Sequence, residues 1–131
     1  MSEPAVAIVA GHGEFAEGLV SAVESITGRD DVLVAMTNRG LGGPDIERVM
    51  GELVESYSAR VIFTDLPAGS CALAARRLLA ARRDLVVVTG VNLPALLDYV
   101  THGEVPPHEA AQHAAERARS GVTVVGQPSG N

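Results

Sequence analysis

The chain has 131 residues and a formal net charge of −6, and its 47% hydrophobic content includes only 3% aromatics. That length suits one domain with a sizeable core, which must then be built from Ala, Val, Leu and Ile. The acidic balance argues against nucleic acid or an anionic membrane as partner, and the lone Cys71 excludes an intramolecular disulfide.

In chain order, Met1-Ser2-Glu3-Pro4 lacks the basic region of a signal peptide, and no apolar stretch nears the roughly 20 residues of a membrane span. A cytoplasmic protein with no membrane insertion is expected. Val6–Ala10 is a run of small and β-branched residues that reads as a strand buried on both faces. Phe15, Leu19, Val23 and Ile26 then recur at helical spacing. Val32–Met36 reads as a second strand, and Ile46, Val49, Leu53 and Tyr57 as the apolar stripe of a second helix. Val61–Thr64 is the third strand, Ala/Leu-rich Cys71–Ala81 the third helix and Leu85–Thr89 the fourth strand. Asn92-Leu93-Pro94 starts a helix running to about His102, and another runs from Pro107 or His108 to Ser120. Val122–Val125 reads as a fifth strand, pairing with its own sheet or a neighbour's, and residues 127–131 as a disordered tail. The alternation implies right-handed crossovers: a single α/β domain over residues 1–131, an open parallel sheet with helices on both faces.

His12, between Gly11 and Gly13, is delivered to the carboxyl end of the first strand, where ligands bind in open α/β sheets. A neutral imidazole there can attack phosphorus. Asp65 ends the third strand in the same way, and if strands one and three are neighbours both residues reach one crevice. A carboxylate on Nδ1–H would fix the tautomer and leave the Nε2 lone pair free, although Asp65 also reads as a residue capping its own turn. Gly69-Ser70 opens the third helix, whose N–H groups and dipole favour an anion. Ser70 reads as a phosphoryl contact or as the N-cap, and the two roles are compatible.

The loop Thr37–Asp45 is glycine-rich and reads as a lid or docking surface, or as a flexible connection capped by Asp45 or its neighbours. Asn92 reads as a helix cap, and Cys71 as a small buried helix residue. His102 lies near a helix end, where positive charge is favourable, and His108 and His113 lie five apart. No Cys/His/Asp set along the chain has metal spacing, and no metal is expected. Gly11-His12-Gly13 completes neither a dinucleotide fingerprint nor a Walker loop, so no cofactor is implied.

Three segments, Ile8–Leu19, Phe63–Ser70 and Thr89–Pro94, occur in this order at the ends of strands one, three and four. Together they resemble the enzyme IIA component of the mannose family of the bacterial phosphoenolpyruvate-dependent sugar phosphotransferase system, over about Ala5 to Val125. The resemblance implies that His12 accepts a phosphoryl group from the carrier protein HPr and passes it to a IIB component, expected on a separate chain. Asp65 matches the aspartate that hydrogen-bonds the active histidine, and Ser70 the Ser/Thr at the helix start. The implied sheet order is 2-1-3-4, with a C-terminal antiparallel strand exchanged within a homodimer, a role for Val122–Val125. The family's Gly-Gly-Ser/Thr-Pro-Phe is here Ala68-Gly69-Ser70-Cys71-Ala72, which alters the surface beside the histidine.

Three uses of this frame stay open on sequence alone. The phosphohistidine feeds sugar uptake, or reports phosphoenolpyruvate supply as a regulatory module, or serves a dihydroxyacetone kinase. A small-ligand-binding α/β domain with a satisfied strand-end histidine is the reading from a different class.

Overall fold

The computed structural model describes residues 3–129. Four strands, β1 (Ala7–Gly11), β2 (Leu33–Thr37), β3 (Val61–Thr64) and β4 (Val86–Thr89), form one sheet in the order β2-β1-β3-β4. All three pairings are parallel, with Val9 opposite Ala35 and Phe63, and Phe63 opposite Val88. Helices α1 (Phe15–Thr27), α2 (Gly43–Tyr57), α3 (Ser70–Ala81), α4 (Leu93–Thr101) and α5 (Pro107–Ser120) complete the chain.

Because successive strand residues point to opposite faces, each strand serves two cores. Ala7, Val9, Val61 and Phe63 pack with the buried stripes of α1, α4 and α5. Ile8, Ala10 and Ile62 pack instead with Ile46, Met50 and Val54 of α2 and Cys71, Ala74 and Ala75 of α3. Small residues on α3 and α5 let those helices approach closely, so few aromatics are needed. The aromatic pair that does form is edge-to-face: Phe63 and Tyr99, 5.3 Å between centroids. The Tyr99 hydroxyl donates to the Ala5 carbonyl at 2.7 Å, which satisfies a polar atom in that core.

Asn92 caps α4, its Oδ1 accepting from Ala95 N–H at 3.2 Å, while its Nδ2 donates to the Ala118 carbonyl and ties the end of α5 to the start of α4. Two other expected caps are not formed. Helix α2 starts behind Gly42 with no side-chain cap, Asp45 lying in the first turn, where its charge suits the dipole. The cap of α3 is Gly69 rather than Ser70, because φ +131° at that position favours glycine; Ser70 is the first helical residue.

The expected fifth strand is also absent within the chain. Residues 122–125 pair with no strand, and Val122, Val124 and Val125 are 73%, 98% and 92% exposed. A strand forms only where an edge accepts its hydrogen bonds, and among the described residues 122–125 do not pair with the outer edge that β4 leaves free. Residues 127–129 are exposed and carry no regular structure; the rest of the expected tail, 130 and 131, lies outside the described residues. Among the described residues no helix is long and apolar enough to cross a membrane.

Candidate functional site

Strands β1 and β3 are direct neighbours, with Ala10 opposite Thr64, so the residues leaving their carboxyl ends enter one crevice. Asp65 N–H donates to the Ala10 carbonyl at 3.2 Å and extends the ladder by one bond. Thr64, fully buried, donates its hydroxyl to the Leu66 carbonyl and sets the turn that aims Asp65 at β1.

One carboxylate oxygen of Asp65 then receives two bonds from His12: the backbone N–H at 3.0 Å and ring Nδ1 at 2.7 Å. An ionised carboxylate only accepts, so Nδ1 carries the hydrogen and, in the neutral ring, Nε2 holds the free lone pair. The His12 side chain is 50% exposed and that of Asp65 only 10%, so the carboxylate is sheltered and the imidazole is presented to solvent. Burial alone would push the Asp65 carboxyl up, but the two hydrogen bonds from His12 and the ring's charge outweigh it and hold the carboxyl below its ordinary value.

Two glycines make this geometry possible. A Cβ on Gly11 would meet Phe15 Cδ2 at 2.7 Å and Asp65 Cβ and Cγ at 3.2 Å, so Asp65 occupies the space that a side chain there would take. A Cβ on Gly69 would lie 3.7 Å from His12 Cε1, which places the start of α3 against the ring. The first N–H groups of α3, including that of Ser70, have no acceptor within the helix, and they face this crevice with the positive end of the dipole. Cys71, one residue on, is fully buried; burial and then the nearby Asp65 charge push its thiol up, against a smaller opposing effect from Ser70.

The structure therefore brings together His12, Asp65, Gly69 and Ser70. It adds two residues that sequence reading left inside the Thr37–Asp45 loop. Asn38 N–H donates to the Gly11 carbonyl, and its side-chain Nδ2 lies 3.5 Å from the Ser70 hydroxyl. Arg39 reaches over Gly13, with Nη2 3.6 Å from where a Cβ there would sit, and pairs with Glu14 at 3.7 Å. The loop is anchored as well, the Thr37 hydroxyl donating to the Gly13 carbonyl at 2.8 Å. Its glycines pointed to a loop near the crevice but not to which side chains it would supply. Beyond α3's first turn lies a shallow hollow lined by Pro67, Ala68, Gly69, Ser70, Leu73 and Arg76. Leu73, in that lining, and Leu66, beside Gly69, are half-exposed, an apolar rim next to the His12–Asp65 pair.

This arrangement, a tautomer-fixed imidazole facing a helix N-terminus, suits nucleophilic attack on a tetrahedral anion. Over residues 6–119 the chain matches the EIIA-man family model, described as the PTS system fructose IIA component. Among solved structures it is similar to the phosphotransferase system component EIIA of Streptococcus agalactiae, with TM-score 0.82 and 21% identity, covering 91% of this chain and 95% of that one. The mannose/sorbose specific IIA subunit of Enterococcus faecalis gives TM-score 0.82 at 21% identity, covering 98% and 99%. A structure described as a phosphoenolpyruvate-dependent sugar phosphotransferase system permease of Klebsiella pneumoniae gives 0.79 at 23%, covering 95% and 93%. At such identities these structures speak to the fold, which they share almost end to end. No curated protein matches the chain. The family match, spanning all four strands and nearly all of α5, carries the assignment: the chain belongs to the EIIA-man family, the mannose-type IIA components of the phosphotransferase system.

Proposed function

We propose that this protein is a phosphoryl carrier that accepts a phosphoryl group from phosphorylated HPr on His12 Nε2 and passes it to a IIB component for sugar uptake. The observation that carries the reading is the 2.7 Å contact between His12 Nδ1 and Asp65 at the ends of adjacent strands. In the transfer, the Nε2 lone pair forms the new N–P bond as the N–P bond to the donor histidine breaks, and the donor nitrogen regains its pair. The passage is in line and loose, so the protein contributes positioning and electrostatics. The loaded ring, bearing Nδ1–H and phosphorylated Nε2, is cationic, and the Asp65 carboxylate offsets that charge. Ser70 and the N–H groups at the start of α3 receive the phosphoryl oxygens, with Arg39 as a flanking cation. The exposed Leu66–Leu73 rim gives protein partners an apolar foothold next to His12.

The same reading includes a homodimer in which residues 122–125 of each copy cross to the other. A groove along Val86–Thr89 and α5, lined by Ala111, Gln112, Ala115 and Arg119, offers an open strand edge of matching length. Among the described residues nothing covers Val122, Val124 and Val125. Truncation after Gly121 should convert the dimer to a monomer by light scattering.

Phosphorylation is tested with enzyme I, HPr and labelled phosphoenolpyruvate. The wild-type chain should take up an acid-labile label and His12→Ala none. Label on His12→Ala, or an acid-stable label, would end this reading.

A further inference from the structure

A second cluster of titratable side chains lies outside the His12 site, between α4 and α5. Asp98 and His102 stand four residues apart, one helical turn, so their side chains share a face of the α4 end. His113 comes from the facing side of α5. The Asp98 side chain is only 9% exposed, a sheltered carboxylate with two imidazoles around it. His113 Nδ1 lies 2.9 Å from one Asp98 oxygen and 3.1 Å from the other, and His102 Nδ1 lies 3.7 Å from Oδ1. The two rings are 4.2 Å apart between centroids. One potential ligand atom from each of the three residues falls within 4.8 Å of the others.

We propose that Asp98, His102 and His113 form a binding site for a divalent transition-metal ion of the zinc and cobalt class, which clamps α4 to α5. A carboxylate and two ring nitrogens converging on one point need protons or a cation among them. Two imidazoles and one carboxylate suit zinc or cobalt, whereas calcium and magnesium take sets richer in oxygen. With metal–ligand bonds of about 2.0 Å, tetrahedral ligand atoms stand about 3.3 Å apart. The His113–Asp98 pair, at 2.9 and 3.1 Å, stands slightly inside that spacing and opens by a few tenths of an ångström, and His102, at the helix C-cap, closes the remaining gap by turning its side chain. Three protein ligands leave a fourth position to water.

Arg117 is the resident competitor, with Nε 3.6 Å from Asp98 Oδ1. Its side chain is 64% exposed and swings into solvent when the ion enters. The cluster uses no residue of the phosphoryl site, so the site stands or falls independently of the reaction at His12.

The test is titration of the full-length protein with Co²⁺, followed by visible absorption, and with Zn²⁺, followed by calorimetry and thermal unfolding. The expected result is one equivalent bound, tetrahedral cobalt bands, and a Tm higher by about 10 °C at metal near 100 times Kd. His102→Ala and His113→Ala, whose rings are partly exposed, should each weaken binding roughly tenfold or more with unchanged circular dichroism. Arg117→Ala should bind at least as tightly as wild type, and His12→Ala should bind as wild type does. Absence of cobalt bands and of a Tm shift in the wild-type protein would overturn the proposal. So would binding that survives both histidine substitutions, or binding lost with His12.

Discussion

Substituting Gly11 by alanine tests whether the site depends on the room that glycine leaves between two strand ends. The new Cβ would lie 2.7 Å from Phe15 Cδ2 and 3.2 Å from Asp65 Cβ and Cγ. To restore ordinary contact at about 3.4 Å or more, the Phe15 ring must retreat by about 0.7 Å and Asp65 by about 0.2 Å or more. Phe15 is held at the first turn of α1 against the core, and Asp65 is held by the ladder bond to Ala10, so neither moves freely. Overpacking of this kind costs about 1–3 kcal/mol. Any retreat of Asp65 also stretches its 2.7 Å bond to the ring, and losing a charge-assisted bond slows transfer about 10- to 100-fold. The assay is the initial rate of labelling from phosphorylated HPr, set beside thermal unfolding. Gly18→Ala is the control: Gly18 lies on the exposed side of α1 with nothing within 4 Å of an added Cβ, and alanine there should stabilise by about 0.5–1 kcal/mol with full labelling. A Gly11→Ala protein that labels at the wild-type rate would refute the packing argument.

Asp65→Asn should slow labelling strongly, since the amide leaves the ring tautomer unfixed. It should also flatten the acid limb of stability. The folded state holds the Asp65 carboxyl below its ordinary 3.8, so its contribution is present above that pH and is lost as pH falls through the lower folded value. Urea unfolding of both proteins across that window checks the sign, and an identical acid dependence would contradict it. Tyr99→Phe removes the hydroxyl that donates to the Ala5 carbonyl and should cost about 1–2 kcal/mol in denaturant unfolding while leaving phosphoryl transfer intact. Cys71, buried and with its thiol pushed up, should resist iodoacetamide in the native protein and react once unfolded; rapid native labelling would mean that the start of α3 opens.

What was legible in the sequence was whatever one chain decides locally. Val6–Ala10 and Val61–Thr64 are too apolar for any place but a central strand, and both placed a polar residue just beyond, so the His12 and Asp65 crevice followed once the strands were neighbours. Legibility failed where a second partner decides the outcome. Val122–Val125 has the composition of a strand but pairs with no strand among the described residues. Ser70 looked like a cap because its hydroxyl suits one, yet the backbone turn at φ +131° assigns the cap to Gly69. Asp98 and His113 lie fifteen residues apart on separate helices, so only the packing of α4 on α5 brings them together. The need for glycine at position 11 is likewise set by packing, since Asp65 and Phe15 take the space that a side chain there would fill.

The central claim is that Asp65 holds Nδ1 and thereby leaves Nε2 to carry the phosphoryl group. Nitrogen-15 and phosphorus-31 NMR of the protein phosphorylated through HPr distinguishes the two ring positions directly. Phosphorus bonded to His12 Nε2, with Nδ1 still protonated, is the predicted result; phosphorus on Nδ1, or an acyl phosphate on Asp65, would contradict the account.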